Sequence, residues 1–528
     1  MKKLTFIAVF ILLAQMVFAG GLLTNTNQSA QFIRMMSRNA STGIDAVYFN
    51  PAGLIKMEDG WHFAVYNQTI FQTKPVDSQF PLLNDGKYEG KVNVPVFPTA
   101  FAVYKMENWA FSLGFGPNAG GGSATFDRGL PSFEIPLTKL GAGLGQIAPI
   151  LAPYQIPAVT GYDADLNFEG RSVFYGLQLG ATYKVGDFLS VFGGVRYLPS
   201  QNTYFGEIKN IEVRTTGENI SATTYLNTID PIISPTIDAL GNAATGLQTA
   251  IDADLLDPGA NVTNPQILPY LALLGVESIT NQGAVALLNG TKNSLEKLMD
   301  ADVSDKKVDT EQTGAGFTPM IGVNISPAEN LNIAVKYEMQ TKLELTNNTT
   351  VDDLGLFPDG EPYRNDLPAI LGIGAGYNAG LMEAQLSYTM YFNKGVNWGA
   401  NTRDLAIWKD VDPTKIRKRE IDKNGMELGL GLQFNVTDNF AFSLGGLYGD
   451  MGIADSYQSD FSYSNPSVTG GAGIEWKLAD VLTLDAGFSN TFYKDQTVSF
   501  NDPDAGTYKE TLGKTTMNFA IGLSYSIF

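Results

Sequence analysis

The side chains best able to do covalent chemistry are nearly absent from these 528 residues: there is one histidine, His62, and no cysteine. A serine hydrolase could draw its general base only from His62, and no nucleophile motif accompanies it. His62 sits beside Trp61 where the first strand pattern begins, a position that suits an interfacial role better than catalysis. Phosphate-loop and dinucleotide fingerprints are missing as well. The acidic run 300–311 could hold a divalent cation, but it lacks a fixed ligand spacing, so no metal site is assigned and no cofactor is expected. The basic run Lys415-Ile416-Arg417-Lys418-Arg419 could meet lipopolysaccharide phosphates or a ligand carboxylate, or could be an ordinary solvated face. A formal net charge of −19 argues against nucleic acid, because phosphate contacts need a basic surface. The chain therefore reads as a non-enzyme.

The elements that would position apolar side chains begin with a secretory signal over residues 1–19. Lys2 and Lys3 provide the basic start, residues 4–17 the apolar run, and Val17-Phe18-Ala19 the small-residue cleavage site. Without a cysteine to acylate, a lipoprotein reading fails. Residues 20–58 lack the period-2 pattern of a strand and are expected to form a compact plug, with helix over 28–38 and a helical turn over 43–49. Within it, Pro51 cannot continue a helix and biases Asn50 out of the α region, so the chain must bend there.

From Trp61 to the C-terminus the pattern is alternation. Leu331, Ile333, Val335, Tyr337 and Met339 face one way, against Asn332, Lys336, Glu338 and Gln340 on the other. Alternation alone fits either a soluble sandwich or a membrane barrel. The connections separate the two. About 14 strand candidates are joined alternately by tight turns and long loops, the asymmetry of an up-and-down outer-membrane barrel. The fold class expected for 59–528 is therefore all-β: a 14-stranded antiparallel transmembrane β-barrel with an N-terminal hatch and helical extracellular loop insertions. Closure also meets the demand that no backbone polar group be left unpaired in hydrocarbon. The terminal Phe528 suits insertion by the barrel-assembly machinery. It is, however, one residue out of phase with the apolar set Met517, Phe519, Ile521, Leu523, Tyr525 and Ile527. A bulge near the terminus or a terminal residue that does not face lipid would each explain this.

A signal peptide, a plug carrying Asn50-Pro51-Ala52-Gly53, about 14 strands and a terminal Phe528 together resemble the FadL/TodX family of outer-membrane transporters for long-chain fatty acids and other hydrophobic compounds. The resemblance covers the whole chain in architecture and only the plug segment in residue detail. It implies a monomeric barrel in the outer membrane of a Gram-negative bacterium, closed at its periplasmic end by a hatch that Asn50, Pro51, Ala52 and Gly53 would gate. Ligand would be caught by apolar extracellular loops, bound in the lumen and released sideways into the bilayer at a kink in the third strand. In that strand, Gly114, Gly116, Pro117, Asn118, Gly120, Gly121 and Gly122 break the apolar pattern. Such residues fit either a broken strand beside a portal or a glycine-rich turn leading into a loop. The insertion 206–310 carries helical stretches at about 232–253 and 266–299. Leu268, Leu271, Leu274, Leu287 and Leu288 could line a ligand-capture groove there, or pack on one another. The rival functions are a general porin for small polar solutes and a surface or structural barrel without transport.

Overall fold

The computed structural model describes residues 24–396, 398–399, 421, 423–502 and 505–528. The expected signal at 1–19 and the basic run Lys415–Arg419 lie outside them. Fourteen strands form the wall: β1 Gly60–Ser78, β2 Lys87–Met106, β3 Trp109–Phe126, β4 Val159–Val185, β5 Leu189–Thr215, β6 Lys306–Ala328 and β7 Leu331–Glu338, then β8 Ile370–Asn378, β9 Met382–Tyr391, β10 Gly425–Thr437, β11 Phe440–Asp450, β12 Ser467–Ala479, β13 Leu482–Tyr493 and β14 Thr515–Ile527. Each pairs antiparallel with its sequence neighbour, and β14 returns to β1 from Trp61↔Ile527 to Thr73↔Thr515, which closes the barrel. Short segments extend β7 (Glu344–Asp352) and β8 (Pro362–Asn365) beyond the main wall.

The period-2 alternation sorts side chains between two different solvents. Phe63, Val65, Phe111, Leu113, Leu179, Ile321, Leu430, Leu444, Phe519 and Ile521 all point outward and are exposed. Such a contiguous apolar belt would be a liability in water and is what a bilayer requires. Trp61 packs on Tyr104 and Trp109 on Tyr183 at ring-centroid separations of 4.7 and 4.6 Å, forming an aromatic girdle at the tight-turn end. Among the described residues no single helix is long and apolar enough to cross a membrane.

β14 keeps an unbroken register with β1, so no bulge explains the phase of Phe528. Phe528 lies past the strand end, with its ring 5.9 Å from that of inward-facing His62. His62 is held in the β1–β14 seam, with Nδ1 2.8 Å from Ser526 Oγ and Nε2 2.8 Å from the Glu58 carbonyl.

The long-loop end carries α3 Pro131–Gln146, α4 Ala148–Leu151, α5 Ala222–Asp252, α6 Leu268–Leu273 and α7 Asn281–Met299; the hatch holds α1 Ala30–Met35 and α2 Ala46–Phe49. β4 begins at Val159, and its outer half pairs with β5 up to Val159↔Thr215. One boundary differs from the sequence reading. α5 starts before 232 and runs through Pro231 and Pro235, where proline signals predict a helix boundary. Its buried stripe of Ile229, Ile233, Ile237, Leu240, Ala244 and Leu247 packs into the hydrophobic core of the long-loop end and overrides the two prolines.

Candidate functional site: the hatch and an interrupted seam

α1 is buried on every side, because the barrel encloses it. Its N-cap Ser29 accepts from the Phe32 amide at 3.0 Å, and Met36 in the left-handed region ends it. Glycines in the facing wall let its backbone approach. A Cβ on Gly429, Gly431, Gly445 or Gly471 would overlap the carbonyl oxygen of Met36, Met35, Met35 or Ile33 respectively. Arg34 locks this contact. Its Nε donates to Asp485 at 3.0 Å, its guanidinium reaches Glu475 at 2.7 Å, and it also donates to Gln433 and Ser443. Gln31 Nε2 adds a 2.6 Å bond to Asp485. One arginine thus ties the hatch to four consecutive strands, β10 to β13.

Inside the hatch, Arg38 clamps Asp45 through Nε at 2.7 Å and a second nitrogen at 2.8 Å, and Ser29 Oγ donates to it at 3.2 Å. Burial pushes the Asp45 carboxyl upward. The Arg38 charge and these donors outweigh burial and hold it below the ordinary carboxylate value.

The Asn50-Pro51-Ala52-Gly53 turn opens a 3₁₀ helix, Pro51–Lys56. Asn50 Nδ2 donates to the Ser41 carbonyl at 2.9 Å and to Asn324 Oδ1 on β6 at 2.8 Å. The Pro51 and Ala52 carbonyls accept from Thr182 on β4 and Ser190 on β5, each at 2.7 Å. At Gly53 a Cβ would crowd the Asn50 side chain and the Ser41 carbonyl, so glycine is required by space. The turn is therefore seated on β4, β5 and β6.

The break in β3 is contacted by a segment the sequence reading passed over. β2 and β3 pair from Met106↔Trp109 to Ala100↔Phe115 and again at Val92↔Ala124 and Lys91↔Thr125. Between these stretches the β2–β3 ladder has no pairs, while β3 stays on β4 through bulges at Pro117/Ala119 and Gly120/Gly122. Gly120 and Gly121 take φ of +63° and +129°, conformations that favour glycine. Gly114, Gly116, Pro117, Asn118 and Gly122 complete the stretch, which is a distorted strand and not a turn. On β2, Pro95 and Pro98 fall opposite and remove donors. Thr24 bridges Ala119, the Asn25 amide donates to the Asn118 carbonyl at 2.8 Å, and Asn25 Nδ2 reaches the Gly120 carbonyl at 2.5 Å. Gln28 Nε2 donates to the Pro117 carbonyl at 2.8 Å. The run of amides and hydroxyls from Thr24 to Gln28 was the available signal: donors suited to orphaned carbonyls.

Tyr48 links this segment to the opposite wall. Its hydroxyl donates to the Asn25 carbonyl at 2.8 Å, and its own carbonyl accepts from Lys336. Lys336 and Arg196 stand over its ring at 4.6 and 5.1 Å, and both pair with Glu338, at 2.7 and 2.6 Å.

Apolar side chains gather towards the long-loop end of the barrel. Ala119, Phe174, Leu198, Leu343, Leu345 and Leu367 form a small cluster around the β3 break. Further out, Phe133, Phe168 and Phe461 meet edge-on with centroids 5.0–5.5 Å apart and line a niche with Tyr204, Phe357 and Val308. Of the leucines assigned to a capture groove, Leu271 and Leu288 are buried in the loop core, Leu274 and Leu287 pack against it, and Leu268 is exposed. In the acidic run, Lys306 pairs with Asp302 at 2.6 Å and Lys307 with Asp309 at 3.3 Å. Among the described residues no group of three or more His, Cys, Asp or Glu is placed to hold a metal ion.

No family model and no curated relative matches the sequence. Solved structures do match in shape. A Pseudomonas aeruginosa FadL homologue superposes with a TM-score of 0.55 at 13% identity, covering 97% of this chain and all of that one. The ΔS2S3 mutant of the TodX monoaromatic hydrocarbon channel gives 0.53 at 11% identity, covering 96% and 100%. With the closed barrel, the N-terminal segment in its lumen and the interrupted seam described above, the chain has the FadL/TodX fold.

Proposed function

We propose that this protein is a passive outer-membrane channel for hydrophobic molecules, and that the unpaired stretch of the β2–β3 seam is its lateral exit. The observation that carries the reading is that the gap is filled by hatch residues Thr24, Asn25 and Gln28, not by β2. A closed wall would keep an apolar solute from the bilayer, and a wall closed by a removable segment allows release sideways. The structural neighbours, a FadL homologue and a hydrocarbon channel, support the same solute class. The path runs from the aromatic niche to the apolar cluster around Ala119 and then through the gap once the hatch N-terminus withdraws. Asn50 and Pro51 fix the bend that holds the hatch on β4–β6, so they set the resting position. No energy source is required, because transfer into lipid is downhill for apolar surface.

The test is reconstitution. Proteoliposomes are expected to take up a hydrophobic probe such as toluene or oleate and not to swell in sugars. Free swelling in sugars without hydrophobic uptake would overturn the reading in favour of a general porin.

A further inference from the structure

One buried amide inside the barrel has nothing to bond to. Asn365 ends the β8 extension, and its backbone amide donates to the Leu343 carbonyl at 2.9 Å, which sets the two side chains opposite each other on one face. Leu343 belongs to the apolar cluster around the β3 break, as do Leu345, opposite Tyr363, and Leu367. The Asn365 side chain is fully buried, and among the described residues neither its Oδ1 nor its Nδ2 has a hydrogen-bond partner.

Other buried amides on this wall are paired. Asn202 donates to Gln312 at 3.0 Å, Gln312 to Asn347 at 2.9 Å, and Asn347 to the Pro358 carbonyl at 3.1 Å. Against that pattern, an unpaired carboxamide among leucines destabilises the closed barrel relative to an apolar residue of the same size. The charged neighbours do not serve it. Arg364 and Asp366 pair with each other at 2.7 Å, and Asp366 also accepts from the Leu343 amide at 2.9 Å, so neither is left to draw a charged head group.

We propose that Asn365 is a specificity residue of the channel, reading a neutral hydroxyl on an otherwise apolar solute. This rests on the channel reading and narrows its cargo to uncharged alcohols and phenols. Nδ2 donates and Oδ1 accepts side by side, so one hydroxyl satisfies both. A carboxylate meets only the donor and sets its charge against the amide oxygen, and a bare hydrocarbon meets neither. Thr24 bridges Ala119 of the same cluster. Withdrawal of the hatch N-terminus therefore loosens the leucines that cover the amide and lets solute reach it on the way out. A site that hydrogen-bonds its solute rejects the analogue lacking that group far more strongly than an apolar pocket rejects a change in size.

The experiment is equilibrium dialysis of radiolabelled 4-propylphenol and propylbenzene against the full chain in non-ionic detergent, with protein-free micelles subtracted. The parent is expected to bind the phenol at least about tenfold more tightly than the hydrocarbon. Asn365→Leu should abolish that preference by weakening the phenol, and leave propylbenzene binding unchanged. Because it removes a buried unpaired amide, the same substitution should raise the temperature at which the folded band is lost in heat-modifiable gels, whereas loss of a structural amide would lower it. Equal binding of the two ligands by the parent, as when buried water alone satisfies the amide, would overturn the proposal and leave the channel reading standing. So would an undiminished preference in Asn365→Leu, or a lower melting temperature for that variant. Failure of both ligands to bind would sink the channel reading itself.

Discussion

The Tyr48 hydroxyl donates to the Asn25 carbonyl at 2.8 Å, and this bond joins the two ends of the hatch. On one side of it Tyr48 is fixed by Lys336, Arg196 and Glu338 in β5–β7. On the other, Asn25 satisfies the Gly120 and Asn118 carbonyls left without partners in the β2–β3 seam. Movement at either end is therefore felt at the other. Tyr48→Phe removes one such bond, worth about 1 kcal/mol. It should raise single-channel leak current while the folded barrel remains resistant to SDS; leak identical to the parent's would separate the two ends.

Asn50→Ala deletes donors to Ser41 and Asn324; it strands the buried Ser41 carbonyl, a cost of about 1–3 kcal/mol, while Asn324 Oδ1 keeps the Asn332 Nδ2 donor at 2.8 Å. Uptake of a hydrophobic probe should fall and assembly should survive, since the lost contacts lie in the hatch and not in the ladder. Failure to assemble would make the turn a folding element.

Gly445→Val places side-chain atoms where the Met35 carbonyl stands and should displace α1 from β10–β12. Overpacking of this kind costs about 1–3 kcal/mol. Protease sensitivity of residues 24–59 in the intact barrel is the readout; an unchanged digestion pattern would contradict the glycine cradle.

The Arg38–Asp45 clamp predicts acid sensitivity of the hatch. Because the folded carboxyl lies below its ordinary value near 3.8, its stabilisation is fully present above that value and is lost as pH falls through the lowered folded value. The hatch should loosen only in that acid window, seen as rising leak conductance. Asp45→Asn should leak already at neutral pH and change little as acid is added.

The wall was readable in the sequence because lipid and lumen impose opposite demands on alternate residues, so Leu331 to Met339 or Met517 to Ile527 announce their faces locally. The break in β3 was visible for the same reason, since Pro117 and Gly120–Gly122 remove the donors and side chains a ladder uses. What could not be read was which residues meet across the lumen. Asn50 finds Asn324, 274 positions away, and Gln31 finds Asp485, 454 away, and alternation carries no information about either. The partner of the break was hidden differently: Pro95 and Pro98 lie within an otherwise regular β2, and Thr24–Gln28 precede any periodic segment.

The central claim is that solute leaves through the unpaired β2–β3 seam. A Cβ on Gly122 would stand 2.8 Å from Val94 Cγ2, so Val94→Cys with Gly122→Cys brings two thiols within disulfide reach in a chain with no other cysteine. In proteoliposomes, the oxidised variant is predicted to lose hydrophobic uptake by about tenfold or more and to regain it on reduction. Undiminished uptake with the disulfide verified by mass spectrometry would contradict the lateral exit.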